Sequence, residues 1–148
     1  MRLVLDTNVV ASALLWDGAP RQLLRIGLGD DCLLFTSTPL LIELTDILSR
    51  PKFKKKIAAS LLSVDQLVDL YATMVALVRP APVPRLAPDP DDDVVIATAL
   101  AAKANFVVTG DRALLSVAEY EGGRIIPVAE ALQAVLFRVE SRCREPHP

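Results

Sequence analysis

The stretch RLVLDTNVV, at residues 2–10, decides the class of fold. Its first four residues are a short apolar run of the kind found in strands that are buried on both faces of a sheet. Asp6 ends this run, and the residues from Thr7 to Leu15 are predicted to form a helix. A buried strand that leads directly into a helix is the first unit of an α/β layer fold.

The alternation of strand and helix continues along the chain. Further strands are predicted at residues 32–35, 106–108 and 124–126. Helices are predicted at residues 7–15, 20–28, 38–48, 63–78 and 93–103, with a short helix after residue 111 and a last one from residue 127. Residues 80–90 hold five of the 11 prolines and are predicted to be an extended connector. Together these elements predict an α/β fold around a mostly parallel sheet.

Composition excludes several classes of protein. The 148 residues fit one domain, and the net charge of −2 argues against a polybasic nucleic-acid binder. The longest apolar stretch, residues 94–108, is shorter than the roughly 20 residues that a transmembrane helix needs, and the N-terminus lacks the pattern of a secretory signal. Cys32 and Cys143 lie far apart and are expected to be free thiols. We therefore expect a cytoplasmic protein without a membrane segment.

The side chains that are absent from the sequence narrow the chemistry. The only histidine is His147, which argues against Ser-His-Asp, Cys-His and histidine-based zinc sites. The six glycines are scattered, so the sequence has no glycine-rich phosphate loop. Carboxylates are the chemical resource that remains, and clusters of carboxylate oxygens suit Mg²⁺ or Mn²⁺.

Two aspartates follow predicted strands. Asp6 comes directly after the first strand, and Asp111 follows the strand at residues 106–108 through Thr109 and Gly110. In open parallel sheets, chemistry gathers outside the carboxyl ends of the strands. Each aspartate could instead only cap the helix that comes after it.

Two further acids lie on predicted helices. Glu43 lies at the margin of the apolar stripe of its helix, where a solvated glutamate is the alternative. Asp93 shares the inward-facing stripe of Ile96 and Ala97, where an unpaired carboxylate is costly unless a cation offsets its charge. Its neighbour Asp92, or the aspartate before it, is expected to cap this helix, which leaves an uncertainty of one residue.

Four converging carboxylates predict a metal site. Such groups would repel one another strongly unless a divalent cation lay among them. A site of this kind can activate a water molecule and neutralise a phosphodiester in the transition state. Coincident capping and solvated helix positions remain the alternative explanation.

The motifs that contain these acids resemble those of a known family. The DTNV motif from Asp6, the Pro-x-x-x-Glu motif that ends at Glu43, the run DPDDDVVIATALA from Asp89 and the VVTGD motif that ends at Asp111 are similar to the motifs of PIN domains. The order of the four acids, with spacings of 37, 50 and 18 residues, makes the set specific. More narrowly, the chain resembles the VapC-like ribonucleases, which are toxin components of bacterial toxin–antitoxin systems.

The resemblance covers about residues 1–130 and implies a Rossmann-like three-layer α/β/α nuclease domain there. The end of a C-terminal helix and a flexible tail are expected at residues 131–148. The implied activity is a Mg²⁺- or Mn²⁺-dependent endoribonuclease that hydrolyses RNA phosphodiester bonds. Members of this family are commonly homodimers and are inhibited by a small antitoxin protein, so both partners are expected here.

The resemblance also implies roles for individual residues. The catalytic and metal-binding acids would be Asp6, Glu43, Asp93 and Asp111. The polar residues that would hold these carboxylates or the attacking water are Thr7, Asn8 and Thr109.

Basic and aromatic side chains are candidates for RNA contacts. The only dense positive run consists of Arg50, Lys52, Lys54, Lys55 and Lys56, and a solvated turn is its alternative interpretation. Arg112 follows Asp111 and is a further candidate for phosphate contact. The aromatic candidates for base stacking are Trp16, Phe53 and Tyr71, which could equally pack in the core.

Two other functions are compatible with the fold class. An aspartyl-phosphate phosphotransferase would use Asp6 as its nucleophile, but such enzymes usually carry a second aspartate two residues on, where this chain has Asn8. A non-catalytic α/β module that binds RNA or protein would not need the complete acidic set.

Overall fold

A single sheet of six strands forms the centre of the computed structural model of this protein, which describes residues 1–82 and 90–144, with the backbone alone at residues 90 and 91. The strands are β1 (Arg2–Leu5), β2 (Leu33–Thr36), β3 (Ala76–Leu77), β4 (Phe106–Val108), β5 (Glu119–Tyr120) and β6 (Gly123–Ile126). Their order across the sheet is β3-β2-β1-β4-β6-β5, and all neighbours are parallel except β5 and β6. The mostly parallel sheet that the sequence predicted is therefore confirmed.

Helices connect these strands. Within the described residues the α-helices are α1 (Thr7–Leu15), α2 (Ala19–Gly27), α3 (Thr38–Leu48), α4 (Lys54–Ser60), α5 (Val64–Met74), α6 (Pro90–Ala102), α7 (Arg112–Val117) and α8 (Val128–Arg144). A 3-10 turn at Pro51–Phe53 leads into α4.

The buried apolar residues form two clusters, one on each face of the sheet. Leu3 and Leu5 of β1 belong to the cluster that packs against α1, α2, α3, α5 and α8. Val4, between them, belongs to the cluster that packs against α6 and α7. Successive side chains of a strand point to opposite faces, so both faces of the sheet are covered by helices. This is the three-layer α/β/α fold expected from the sequence.

The segment at residues 63–78 differs from its prediction as one continuous helix. The helix begins where the sequence predicted, and Ser63 caps α5, because its hydroxyl accepts from the Gln66 N–H while the Gln66 side chain accepts from the Ser63 N–H. The helix ends at Met74, and Ala76–Leu77 instead forms an edge strand that pairs with β2. Pairing with the sheet satisfies this backbone, a tertiary effect that local spacing does not reveal.

Other boundaries shift by a few residues, and two elements were not predicted. Helix α3 spans Thr38–Leu48 as predicted, with Ser37 at its N-cap position, whereas α6 begins at Pro90, three residues before its predicted start. The basic run, for which no helix was predicted, forms the 3-10 turn and the start of α4. Strand β5 is also new, and it forms a hairpin with β6 through Gly122, whose φ of +90° favours glycine. Most of the proline-rich connector, at residues 83–89, lies outside the described residues.

The C-terminal helix packs back onto the domain. Helix α8 continues to Arg144, and Arg142 Nη1 lies 3.0 Å from Asp31 Oδ1. The domain boundary near residue 130 and the flexible tail remain predictions. Cys32 and Cys143 are free thiols, as expected. No helix within residues 1–82 and 90–144 is long and apolar enough to cross a membrane.

Candidate active site

Asp6 lies at the point where the chain changes direction across the sheet. Strand β1 lies between β2 on one side and β4 on the other, so the carboxyl ends of β1 and β4 flank a topological switch point. The Asp6 N–H donates to the Val108 carbonyl at 2.9 Å and extends this strand pair by one residue. The Asp6 side chain is only 4% exposed, although it follows the strand directly.

Hydrogen bonds fix both oxygens of the Asp6 carboxylate. The Thr7 N–H donates to Oδ1 at 2.8 Å, which makes Asp6 the N-cap of α1. The Thr109 hydroxyl donates to Oδ2 at 2.7 Å, and this bond connects the ends of β1 and β4. Asp6 therefore caps α1 and also lies at the end of β1, so its capping role does not exclude a role in the site. Each oxygen also keeps lone-pair capacity for a cation.

The pKa of Asp6 is raised above the usual range of an aspartate. Burial is the largest cause, because it disfavours the charged form. The hydrogen bonds from Thr109 and Thr7 act in the opposite direction, and the negative charge of Asp111 raises the pKa further. Asp6 and Asp111 are therefore close enough to influence each other electrostatically, as their two strand-end positions predicted.

Thr109 orients its hydroxyl through a second hydrogen bond. The Asp111 N–H donates to Thr109 Oγ at 3.0 Å, so that the hydroxyl proton is directed to Asp6. Asp111 is exposed, and its Oδ1 accepts from the Ala113 N–H at 2.8 Å, which makes it the N-cap of α7. The chain Asp111–Thr109–Asp6 thus positions a buried carboxylate next to an exposed one.

Glu43 contacts a groove shared by α3 and α6. It is half-buried and lines this groove with Pro39, Ile42, Asp46 and Val94. Asp46 was not singled out from the sequence, although its i,i+3 spacing from Glu43 places both carboxylates on one face of α3. The groove brings these two acids to the first turns of α6.

The first turn of α6 corrects two sequence arguments. Because the helix begins at Pro90, Asp92 lies inside it and does not cap it. Asp92 is also the more buried of the two aspartates, at 9% exposure, whereas Asp93 is half-buried. The fully buried stripe of α6 runs through Val95 and Ile96, which Asp92 precedes by three and four residues. Burial therefore gives no support for preferring Asp93 over its neighbour.

The polar residues next to Asp6 differ in exposure. Thr7 is buried, and its hydroxyl lies 3.5 Å from Asp6 Oδ1, which is a weak contact. Asn8 is exposed in the first turn of α1. Of the expected supporting residues, Thr109 makes the shortest side-chain contact with a candidate ligand.

A buried hydroxyl pair escaped the sequence analysis. Ser37 follows β2 directly, the position that Asp6 has after β1, and its Oγ lies 2.8 Å from Thr98 Oγ of α6. The Thr98 hydroxyl donates to the Val94 carbonyl, so Ser37 donates to Thr98. Both residues are fully buried. This pair ties α6, and with it Asp92 and Asp93, to the carboxyl end of the sheet.

Carboxylate oxygen is the donor type that Mg²⁺ and Mn²⁺ prefer. Asp6 fits such an ion, because no lysine or arginine in the described part of the chain forms a salt bridge with it while burial disfavours its charge. In that same part, no three acidic, cysteine or histidine side chains are arranged closely enough to hold a metal ion. The hydrogen bonds of Thr109 link Asp6 to the Asp111 backbone, and the groove that Glu43 lines also contains Val94, near the start of α6.

The RNA-contact candidates have different surroundings. The five basic residues of the run at 50–56 are exposed, as is Arg112 at the start of α7. The Trp16 and Phe53 rings pack edge to face at the surface. Tyr71 is 1% exposed within the core, so the suggestion that it stacks on a base is wrong.

A comparison with protein families found one match. The family model described as PIN domain matches residues 2–113, which extend from β1 into α7 and include all four candidate acids. No curated protein matches the chain in sequence.

Proposed function

This chain belongs to the PIN domain family, and we propose that it is an endoribonuclease that depends on Mg²⁺ or Mn²⁺ and hydrolyses RNA phosphodiester bonds. PIN domains are generally nucleases. The observation that carries the proposal is Asp6, a buried carboxylate at the switch point of the sheet with a raised pKa, held by Thr109 and Thr7. Such a group is costly to keep charged unless a cation binds it.

We assign the following roles to the residues of this site. Asp6, Glu43, Asp93 and Asp111 would hold the ion, with Asp92 as the alternative to Asp93. A bound divalent ion supplies positive charge that activates water and offsets the charge on the phosphodiester. Thr109 keeps Asp6 in one orientation by donating to Oδ2, and the Asp111 N–H fixes the direction of that donation. Arg112 and the lysines of residues 52–56 would hold the RNA backbone.

A cleavage assay tests the proposal. The purified protein is incubated with labelled single-stranded RNA in Mn²⁺, in Mg²⁺ and in EDTA. We expect cleavage with either metal, none in EDTA, and cleavage slower by at least about 10²-fold with Asp6→Asn protein whose circular dichroism matches the wild type. Separate Asp92→Asn and Asp93→Asn variants decide which of the two carboxylates the reaction needs. Cleavage by Asp6→Asn at the wild-type rate overturns the proposal.

We also propose that the enzyme is the toxin of a toxin–antitoxin pair and acts as a homodimer. The motif resemblance to VapC-like toxins supports both. Induced expression should arrest bacterial growth, and Asp6→Asn should not; growth that is equally unaffected by both proteins argues against the toxin role. Sedimentation velocity measures the oligomeric state, and a monomer at all concentrations contradicts the dimer.

A further inference from the structure

A surface patch at the start of α4 combines aromatic rings with lysine ammonium groups. The centroids of the Trp16 and Phe53 rings are 5.6 Å apart, and the rings meet at an angle of 66°. Lys56 Nζ lies 5.5 Å from the centroid of Trp16, and Lys52 Nζ lies 5.0 Å from that of Phe53. We call these four residues the aromatic–lysine patch.

The patch is open to solvent on its tryptophan side. Trp16 is 36% exposed, whereas Phe53 is half-buried and packs against the core. Phe53 therefore packs against the tryptophan while part of the indole stays accessible. Tryptophan is enriched at interfaces, because its ring offers a large apolar surface together with a polar N–H group.

The patch also carries positive charge that forms no ion pair with an acid of the described residues. Four of the five lysines of the chain lie within residues 52–56, in a protein whose net charge is −2. None of the ion pairs within residues 1–82 and 90–144 involves these lysines. A concentrated positive charge of this kind attracts a polyanion.

The position of the patch relates it to the candidate active site. Helix α1 is capped by Asp6 and ends just before Trp16, so its nine residues separate the two by about 14 Å along the helix axis. Helix α3 carries Glu43 and leads through the 3-10 turn to Phe53. Both helices begin at the carboxyl edge of the sheet and the patch lies beyond their C-terminal ends, so the patch is separate from the candidate acids.

We propose that the aromatic–lysine patch binds a nucleotide of single-stranded RNA outside the acidic site, with the base stacked on Trp16 and the phosphates in contact with Lys52 and Lys56. Every unpaired base has a π face that stacks on an aromatic ring, whereas duplex bases are already stacked on one another. The long lysine side chains can move from the ring faces to phosphate oxygens. The RNA identity of the ligand rests on the proposed function.

The sole tryptophan provides a direct measurement. Because Trp16 is the only tryptophan in the chain, its fluorescence reports on this patch alone. Wild-type protein is titrated with a short oligouridylate in EDTA, and the titration is repeated with the same sequence annealed to its complement and with polyglutamate. We expect saturable quenching by the single strand, weaker quenching by the duplex and none by polyglutamate. Equal quenching by polyglutamate would assign the patch to an acidic protein and overturn the proposal.

Lysine variants separate a local contact from a general charge effect. In Lys52→Gln/Lys56→Gln protein the slope of log affinity against log salt concentration should fall by about 1.4, since each contact to a single strand contributes about 0.7. Lys103→Gln makes the same change outside the run, just after α6, and should leave the slope unchanged. Equal slopes in all three proteins would overturn the lysine contacts.

The tryptophan itself is tested by the anisotropy of labelled RNA. Trp16→Ala should weaken binding by about 10-fold or more, and Trp16→Phe should retain much of the affinity, because phenylalanine still offers a ring for stacking. Quenching by RNA without any cleavage leaves the patch intact but refutes the nuclease. Cleavage without quenching would support the nuclease but refute RNA binding at the patch, so the two proposals can fail separately.

Discussion

Asp6 and Asp31 lie near opposite ends of the central sheet, and the groups that contact their carboxylates differ in charge. Asp31 precedes β2, and its carboxylate pairs with Arg142 Nη1 at 3.0 Å. Asp6 follows β1, and its carboxylate receives hydrogen bonds only from the Thr109 hydroxyl and the Thr7 N–H and hydroxyl within the described chain. Asp6 is nevertheless the more buried of the two.

The difference separates an acid with a structural partner from the acid that we propose to act in the reaction. At the amino end, the chain supplies its own cation, and the Met1 ammonium also donates to the Asp31 carbonyl. At the carboxyl end, neutral donors fix the position of Asp6, no lysine or arginine of the described residues forms a salt bridge with it, and burial raises its pKa. In stability–activity trade-offs, groups that are expensive in the folded state are kept for activity, and the burial of Asp6 supports the role that we propose for it.

Matched substitutions of the two aspartates give the largest expected difference. Asp6→Asn should lower the rate of RNA cleavage by at least about 10²-fold, the size of losing one preorganised electrostatic group. Asp31→Asn should cleave at the wild-type rate, since exposed ion pairs contribute little and this one is far from the candidate acids. Single-turnover rates in Mn²⁺ measure both. Equal cleavage rates in the two variants would mean that Asp6 is no more important for the reaction than Asp31.

Thr109 is the next test, because its hydroxyl donates to Asp6 and, in the proposed site, would act on the reaction only through that carboxylate. Thr109→Val removes the hydroxyl with little change of shape and should lower activity or metal affinity by about 10- to 100-fold, as for other residues that orient a metal ligand. Thr109→Ser keeps the donor and should restore most of the loss. Cleavage rates measured across metal concentrations separate affinity from turnover. A valine variant with wild-type metal dependence would show that this hydrogen bond is only structural.

The meeting of Asp6 and Asp111 was predictable from sequence because both follow strands that proved to be adjacent. Parallel strands place their carboxyl ends at one edge, so position after a strand translates into proximity. Asp6–Asp111 proximity follows from this rule alone. The layers of helices could also be predicted, because the apolar run of β1 indicates a strand whose two faces are both covered by helices.

Features that depend on contacts between distant residues could not be predicted in this way. The edge strand at Ala76–Leu77 exists because β2 offers it backbone partners, and the Ser37–Thr98 pair joins residues 61 positions apart. The start of α6 was misplaced because a run of aspartates offers several equivalent caps. That error assigned Asp92 a capping role, although it lies inside the helix and is largely buried.

The raised pKa of Asp6 predicts an effect on stability that opposes the effect on activity. The folded protein holds the Asp6 proton more tightly than the unfolded chain does, so wild-type stability falls as pH rises through the range between the unfolded and folded pKa values. The asparagine variant has no such proton to lose. Without metal at neutral pH, Asp6→Asn should therefore be more stable by about 1 kcal/mol, the size of a typical stabilising substitution.

Urea unfolding in EDTA checks this prediction across pH. The gain should shrink as the pH is lowered and the wild-type carboxyl becomes protonated. Saturating Mn²⁺ should reverse the order, because a ligand that binds only the folded wild type stabilises it. A variant that is less stable than wild type at neutral pH in EDTA would mean that the hydrogen bonds to Asp6 outweigh the cost of its burial.

The smallest expected effect separates the two roles of Asp111, which caps α7 and places a negative charge near Asp6. Asparagine caps a helix about as well as aspartate, so Asp111→Asn should change the free energy of unfolding by only a few tenths of a kcal/mol, whereas Asp111→Ala should cost about 1 kcal/mol. Both variants remove the charge that raises the Asp6 pKa, and both should shift the pH dependence of stability downward. If the two variants unfold at the same urea concentration, the cap contributes nothing and the charge is the only role of Asp111; if neither shifts the pH profile, the two carboxylates are too far apart to share an ion.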